Sequence, residues 1–174
     1  MSTTTVDLLL VDDDDEFRSL LVRRFKQRGY QVQDTGDPAE GLAMAERRQF
    51  AVAVIDMVMP GLSGIELLDK LKASHPECEV ILLTGQGSIE TAVQAMKLGA
   101  YDYLTKPCSL AELEVLVEKA VDRGRLSKEN RQLKEMLKRD ERPRNMIGQS
   151  AAMQEVFHLI ARAGKTDKAI LIQG

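Results

Sequence analysis

The chain of 174 residues has room for one ordinary domain and a remainder. Its 44% of hydrophobic and 29% of charged residues describe a soluble globular protein and exclude a disordered one. A formal net charge of −3 excludes a global basic field that would attract nucleic acid, and no apolar run approaches the roughly 20 residues that cross a bilayer. The two cysteines, Cys78 and Cys108, form neither a disulfide framework nor a metal quartet, which favours a reduced, cytoplasmic protein without membrane contacts.

Short apolar runs alternate with amphipathic segments, which is the pattern of a parallel sheet covered by helices. The predicted strands are 6–11, 30–34, 51–55, 80–83 and 101–104. The predicted helices are 14–28, 37–48, 65–73 and 88–98, with a further one that begins near Leu110. Five strand–helix units predict a doubly wound α/β fold with a five-stranded parallel sheet. Among the common strand orders they favour the flavodoxin-like order 2-1-3-4-5, although periodicity alone does not determine strand order.

Residues with capping preferences mark several predicted helix ends. The pair Asp37-Pro38 begins one helix, and Ser88 and Ser109 are expected to cap two others. Gly29 and Gly99 follow the last residues of two helices, where a left-handed backbone is often needed. These local signals support the boundaries that the hydrophobic pattern indicates.

Polar and charged residues follow four of the five predicted strands. In chain order they are Asp12 and Asp13, Asp56, Thr84 and Lys106. With the order 2-1-3-4-5 these four strands are consecutive neighbours, so their carboxyl ends lie along one edge of the sheet and the side chains converge. Taken singly, each residue has an ordinary explanation, such as an acidic helix start or a turn. Their coincidence at one edge predicts a functional site.

The converging residue types indicate phosphoryl transfer. Crowded carboxylates repel one another, and a hard divalent cation with oxygen ligands, such as Mg²⁺, relieves that repulsion. A lysine and a hydroxyl supply a mobile positive charge and a hydrogen bond for a phosphoryl group. Asp56 is the best nucleophile because it sits alone on the central strand, and its attack on phosphorus would give an aspartyl phosphate.

Three stretches contain these residues and their neighbours. They are LLLVDDD at 8–14, VIDMVMPGLSG at 54–64 and LTGQGSIETAVQAMKLGAYDYLTKP at 83–107. Together they resemble the receiver domain of bacterial response regulators, over roughly residues 6–124. The resemblance implies a two-component signalling switch in which Asp56 accepts a phosphoryl group from a histidine kinase or a small phosphodonor. Such a domain catalyses its own phosphorylation and is not otherwise an enzyme.

The same resemblance implies a role for each site residue. Mg²⁺ (or Mn²⁺) would be held by the carboxylates of Asp12, Asp13 and Asp56 and by the main-chain carbonyl of Val58. Lys106 would contact the phosphate, and the Lys106-Pro107 bond is expected to be cis. Thr84 would move toward the phosphoryl group and Tyr103 would rotate inward, remodelling the face of the fourth helix, fifth strand and fifth helix. On spacing alone, Tyr103 is also explained as a half-buried aromatic residue of an edge strand.

A highly charged segment of good helix formers follows the receiver. Leu126 and Leu133 recur at seven-residue spacing, with Asn130 between them at a position where asparagine fixes the register of two-stranded coils. This pattern predicts a homodimer through residues 110–140. Gly124 favours a kink, and a single solvated connector helix is the alternative.

The stretch MIGQSAAMQEVFHLIARAGKTDKAILIQG ends the sequence, with Ser150 as an expected helix cap and a strand predicted at 169–172. It resembles the start of the AAA+ ATPase domain of sigma-54-dependent activators, the NtrC-like regulators. The family's phosphate-binding loop would begin at Gly174 and is absent, so no ATP binding by that route is expected, and DNA and sigma-54 RNA polymerase would be contacted only through domains absent here. The expected organisation is a receiver at 1–124, a helical linker at 125–142 and an AAA+ stub at 143–174.

Two other functions fit parts of the pattern. A phosphohydrolase of the haloacid dehalogenase class also uses an aspartyl phosphate, but it needs a second aspartate two residues after the nucleophile, where this chain has Val58. A phosphorylation-independent interaction domain would not need the acceptor, the metal ligands and the lysine together.

Overall fold

The computed structural model describes residues 6–85, 89–140 and 150–163. The strands are β1 (Asp7–Val11), β2 (Gln31–Thr35), β3 (Val52–Asp56), β4 (Glu79–Thr84) and β5 (Asp102–Thr105). The helices are α1 (Asp15–Gln27), α2 (Pro38–Arg47), α3 (Gly64–Ser74), α4 (Ile89–Lys97), α5 (Leu110–Asp140) and α6 (Ala151–Ala163). Every predicted strand and helix within these ranges is present, with ends that differ by one or two residues.

The five strands form one parallel sheet in the order β2-β1-β3-β4-β5, which confirms the doubly wound topology. The register aligns the carboxyl ends of the central strands. Val11 pairs with Ile55, Asp56 with Leu83, and Thr84 with Thr105. The residues that follow these strands therefore begin from one edge of the sheet.

Hydrophobic cores lie on both faces of the sheet. One contains residues of α2, α3 and α4, including Ala45, Leu67 and Ala95. The other contains residues of α1 and α5, including Phe25 and Val117. Because helices cover both faces, every residue of β3 and β4 is buried, as their continuous apolar runs predict.

Side-chain caps begin four helices at the carboxyl end of the sheet or near it. Asp14 accepts hydrogen bonds from two amides of α1, and Asp37 accepts one from Ala39. Ser63 and Glu66 form a capping box on α3 that was not anticipated, and Ser109 accepts from the Glu112 amide at 3.1 Å. The cap predicted at Ser88 lies outside the described residues.

Gly29 and Gly99 have φ angles of 89° and 91°, which confirms their place just after helix ends. By contrast, α5 continues through Gly124 over 31 residues, so the glycine does not end the helix. Its positions 125–136 are exposed.

The chain divides into two compact units, Met1–Lys128 and Glu129–Gly174. In the second unit, Ser150 caps α6 as predicted, accepting a hydrogen bond from the Met153 amide at 3.3 Å. The strand predicted at 169–172 lies outside the described residues, and the three-part division at 124 and 142 stays a prediction. Within the described part of the chain, no helix is both long and apolar enough to span a membrane.

Candidate functional site

Asp12, Asp56 and Lys106 meet at the carboxyl edge of the sheet. Asp12 follows β1, Asp56 is the last residue of β3, and Lys106 follows β5. The Lys106 Nζ donates hydrogen bonds to Asp12 Oδ2 at 2.7 Å and to Asp56 Oδ2 at 2.9 Å. One ammonium group therefore bridges two carboxylates that are 2% and 7% exposed.

A third carboxylate, that of Asp13, completes an acidic cluster. One oxygen from each of Asp12, Asp13 and Asp56 lies within 4.8 Å of the other two. Asp13 is exposed, whereas its two companions are buried, so the cluster is open to solvent on one side. An all-oxygen donor set with one open side fits a hard divalent cation that keeps some of its waters.

The charges in this cluster influence each other's ionisation. Burial raises the pKa of Asp12, and the nearby charge of Asp56 adds to this, while hydrogen bonds from Lys106 and the Asp14 amide act in the opposite direction. Burial alone would lower the pKa of Lys106, but its hydrogen bonds to the two carboxylates outweigh that effect and the pKa is raised. Lys106 therefore stays positively charged at neutral pH, and the buried carboxylates remain short of positive charge.

The loop after β3 holds Asp56 by its backbone and by one side-chain contact. The Val58 amide donates to Asp56 Oδ1 at 3.3 Å, and the Met57 amide donates to the Leu83 carbonyl at 2.7 Å. Val58 itself is exposed, and its carbonyl stays a predicted metal ligand. The loop thus fixes one carboxylate oxygen of Asp56, while Lys106 contacts the other.

Gly64, a residue that the sequence did not single out, allows this loop to pack against the start of α3. A Cβ at this position would lie 2.2 Å from the main-chain oxygen of Asp56 and 2.7 Å from the Met57 Cα. Both neighbours are backbone atoms that cannot rotate away, so only glycine fits without moving the loop. A glycine at the start of a predicted helix was the available signal, but its closeness to Asp56 is not visible in the sequence.

Thr84 ends β4 beside this cluster with an unsatisfied hydroxyl. Its side chain is buried, and the Oγ1 has no hydrogen-bond partner among the described residues. The Thr84 carbonyl accepts from the Lys106 amide at 2.7 Å, which links the strand end to the lysine. A buried hydroxyl without a partner is destabilising by about 1–3 kcal/mol, so the presence of a threonine at this position needs an explanation.

Tyr103 lies on β5 with its side chain outward, 41% exposed. It lines a groove of about 430 Å³ together with residues of α4, namely Ala92, Val93, Met96 and Lys97. The Lys106-Pro107 peptide bond that follows β5 is cis, as expected. The Lys106 ammonium also lies 4.9 Å from the centre of the Phe17 ring, a second contact that limits where it can go.

The response regulator receiver domain family matches residues 8–118 of this chain. The nitrogen assimilation regulatory protein NtrX of Azorhizobium caulinodans is 36% identical over 170 residues, covering 97% of this chain and 37% of that protein. The crystal structure of NtrX from Brucella abortus in complex with ADP has a TM-score of 0.70 and 31% identity, covering 94% of this chain and 35% of that one. The beryllofluoride-activated NtrC4 receiver domain dimer has a TM-score of 0.65 and 32% identity, covering 68% and 98%. The chain therefore spans little more than a third of the length of the NtrX proteins it matches.

Proposed function

This chain belongs to the response regulator receiver domain family and takes part in phosphorylation-dependent two-component signalling, and from that premise we propose that Asp56 is its phosphoryl acceptor. The observation that carries the proposal is the bridge from Lys106 to both Asp12 and Asp56. It puts a permanent positive charge beside the one carboxylate that ends the central strand. Of the three carboxylates in the cluster, only that of Asp56 ends the central strand, whereas Asp12 follows β1 and Asp13 faces solvent.

In the proposed reaction, a carboxylate oxygen of Asp56 attacks the phosphorus of the donor. The bond from phosphorus to the donor's leaving group breaks, and an aspartyl phosphate forms. Lys106 turns from the Asp56 carboxylate to the phosphoryl oxygens and neutralises part of their charge. Asp12, Asp13 and Asp56 would hold Mg²⁺ (or Mn²⁺) with the Val58 carbonyl, and the bound ion would neutralise further negative charge on the phosphoryl oxygens.

The switch that follows is proposed to run through Thr84 and Tyr103. The buried Thr84 hydroxyl has no partner among the described residues, and a phosphoryl oxygen on Asp56 would supply one. Movement of Thr84 would open space behind it for Tyr103, which now lies at the surface beside α4. The face formed by α4, β5 and α5 would then change shape, as a two-state switch requires.

The partners follow from the family and from the relatives' names. A histidine kinase in the cytoplasm is the proposed donor. The NtrC4 receiver is described as a dimer in its activated form, which supports a homodimer of this chain. The heptad spacing of Leu126 and Leu133 is the reason to propose α5 and the linker as its interface. In a longer protein built like NtrX, the switch would regulate a sigma-54-dependent ATPase that acts on RNA polymerase and DNA through other domains.

The test is phosphorylation with acetyl phosphate and Mg²⁺, followed by intact-protein mass spectrometry. One phosphoryl group should be added, and Asp56→Asn should abolish the addition. Asp69→Asn, which removes an exposed carboxylate from α3, is the matched control and should be phosphorylated normally. Addition to the Asp56→Asn variant would contradict the proposal. Repeated hydrolysis of a phosphate ester would favour a phosphohydrolase, and no addition at all would favour an interaction module.

A further inference from the structure

Arg18 lies near the start of α1, just outside the acidic cluster, and each of its three guanidinium nitrogens makes a polar contact. Its Nη1 donates to the main-chain carbonyl of Asp12 at 2.5 Å, and its Nε donates to Asp34 Oδ2 at 3.1 Å. The Nη2 pairs with Asp15. The side chain is only 15% exposed, so these contacts are shielded from solvent more than those of a surface arginine.

The Asp12 carbonyl belongs to the peptide that joins Asp12 to Asp13. On the other side of Asp12, its amide donates to the Thr35 carbonyl at 3.2 Å, and its side chain accepts from the Asp14 amide at 2.9 Å. Arg18 holds the remaining polar group of this residue. Both backbone polar groups of Asp12 are therefore held by hydrogen bonds.

Asp13 depends on this backbone more than Asp12 does. Its carboxylate is exposed and has no hydrogen-bond or ion-pair partner among the described residues, whereas Asp12 is held by Lys106. Without side-chain contacts, the backbone alone determines the direction in which the Asp13 side chain leaves the chain, and that direction limits where its carboxylate can reach. The peptide that precedes Asp13 is the one whose carbonyl Arg18 binds.

Gly36 gives independent evidence that the Arg18 guanidinium is closely packed at this position. A Cβ on Gly36 would lie 3.0 Å from Arg18 Nη1 and 3.6 Å from the Asp12 carbonyl oxygen. The turn between β2 and α2 thus closes over the contact between Arg18 and Asp12. A side chain at position 36 would therefore press on the end of the Arg18 guanidinium.

We propose that Arg18 is a positioning residue that orients the Asp12–Asp13 peptide, so that both carboxylates face the same divalent cation. This inference rests on the proposed function and deepens it. Lys106 balances charge inside the site, and Arg18 acts from outside on the backbone. Because Arg18 also pairs with Asp15 and Asp34, it keeps those carboxylates occupied away from the cation.

The test compares Arg18→Gln with Arg23→Gln, which removes the same charge from an exposed position of α1. Affinity for Mg²⁺ alone is measured by isothermal titration calorimetry. We expect Arg18→Gln to weaken it about tenfold, as loss of groups that orient metal ligands commonly does, and Arg23→Gln to leave it near wild type. The Mg²⁺ concentration for half-maximal phosphorylation should rise by a similar factor, while the rate at saturating Mg²⁺ changes little.

Two further variants keep the result interpretable. Arg18→Lys retains the charge without the planar fork and should fall between Arg18→Gln and wild type. Gly36→Ala places a methyl group against the Arg18 Nη1 but removes no charge, and it should also weaken Mg²⁺ binding. Urea unfolding identifies a variant that has merely lost its fold.

The outcomes separate this inference from the proposed function. If wild type neither binds Mg²⁺ nor accepts a phosphoryl group, both fail. If wild type does both and the folded Arg18 variants bind Mg²⁺ as tightly as Arg23→Gln, only the role of Arg18 is overturned.

Discussion

Lys106 and Asp56, which are 50 residues apart in the chain, form a hydrogen-bonded ion pair of 2.9 Å at the centre of the site. The same ammonium is shared with Asp12 at 2.7 Å. One positive charge thus serves two buried carboxylates, with a third nearby. The site is therefore short of positive charge, which a divalent cation held by the proposed ligands would supply.

Replacing Lys106 with methionine should destabilise the fold most when no divalent cation is present. The change leaves two buried carboxylates without their shared partner, and we expect a loss of about 2 kcal/mol in the free energy of unfolding, since the lysine is partly exposed. Urea unfolding followed by circular dichroism, with Mg²⁺ or with EDTA, measures it. Mg²⁺ should recover part of the loss. Lys70→Met, on the exposed side of α3, should show neither effect, and an equal loss with and without Mg²⁺ would contradict the prediction.

Replacing Thr84 with valine should leave the unphosphorylated protein as stable as wild type or up to about 1 kcal/mol more stable, because an unsatisfied buried hydroxyl is exchanged for a methyl group of the same shape. The same variant should gain less thermal stability from beryllofluoride and Mg²⁺ than wild type does. Thr84→Ser keeps the hydroxyl and should retain most of that gain. A clear loss of stability in Thr84→Val without beryllofluoride would show that the hydroxyl already has a partner.

Two glycine-to-alanine changes should have opposite effects. Gly64→Ala places a Cβ 2.2 Å from the Asp56 main-chain oxygen, and we expect it to lower stability by about 2 kcal/mol and to slow phosphorylation, because the loop must move. Gly124→Ala meets nothing closer than 3.6 Å and lies inside α5, so it should raise stability by about 1 kcal/mol. Chemical denaturation of both variants tests the pair. Destabilisation by Gly124→Ala would mean that α5 needs a flexible point there.

The stability of the receiver should decrease in acid partly through Glu114. Hydrogen bonding from Arg24 of α1 lowers the pKa of this buried carboxylate against the effect of burial. Arg28, which follows α1, assists with a 2.6 Å contact to the same carboxylate. A lowered folded-state pKa means that the stabilisation is present above the unfolded value of about 4.3 and is lost as the pH falls through the lower folded value.

Glu114→Gln should therefore be less stable than wild type at pH 7, and the difference should shrink as the pH falls below about 4. Urea midpoints measured between neutral and acidic pH check this expectation. Glu112→Gln removes an exposed carboxylate on the same helix and is the control. A difference that stays constant across the range would rule out ionisation of Glu114 as the cause.

Dimer formation through the linker should depend on Leu126 and Leu133, which are 60% and 61% exposed and recur at a heptad interval. Replacing both with serine should convert the dimer to a monomer in light scattering. Met136→Ser, which removes a similarly exposed apolar side chain outside the seam, should remain dimeric. The prediction is contradicted if light scattering shows the wild-type chain to be a monomer at high concentration and truncation at Gly124 does not change this result.

The order of strands and helices, the caps at Asp37 and Ser109, and the convergence of Asp12, Asp56 and Lys106 could be predicted from the sequence. Hydrophobic period, capping preference and turn chemistry act over a few residues, so the sequence displays them directly. Because parallel strands have their carboxyl ends at one edge of the sheet, residues that follow separate strands could be predicted to share a site.

Only the tertiary structure decided how these parts touch. It placed Arg18 on the Asp12 carbonyl, Gly64 against the Asp56 backbone, and the Glu114 carboxylate beside two arginines at the end of α1 and just after it. It also left the Thr84 hydroxyl without a partner among the described residues. Each of these facts depends on distances of a few ångströms between atoms far apart in the chain, set by the packing of helices on the sheet. No periodicity along the sequence encodes such distances, because packing geometry arises only when all the elements are assembled together.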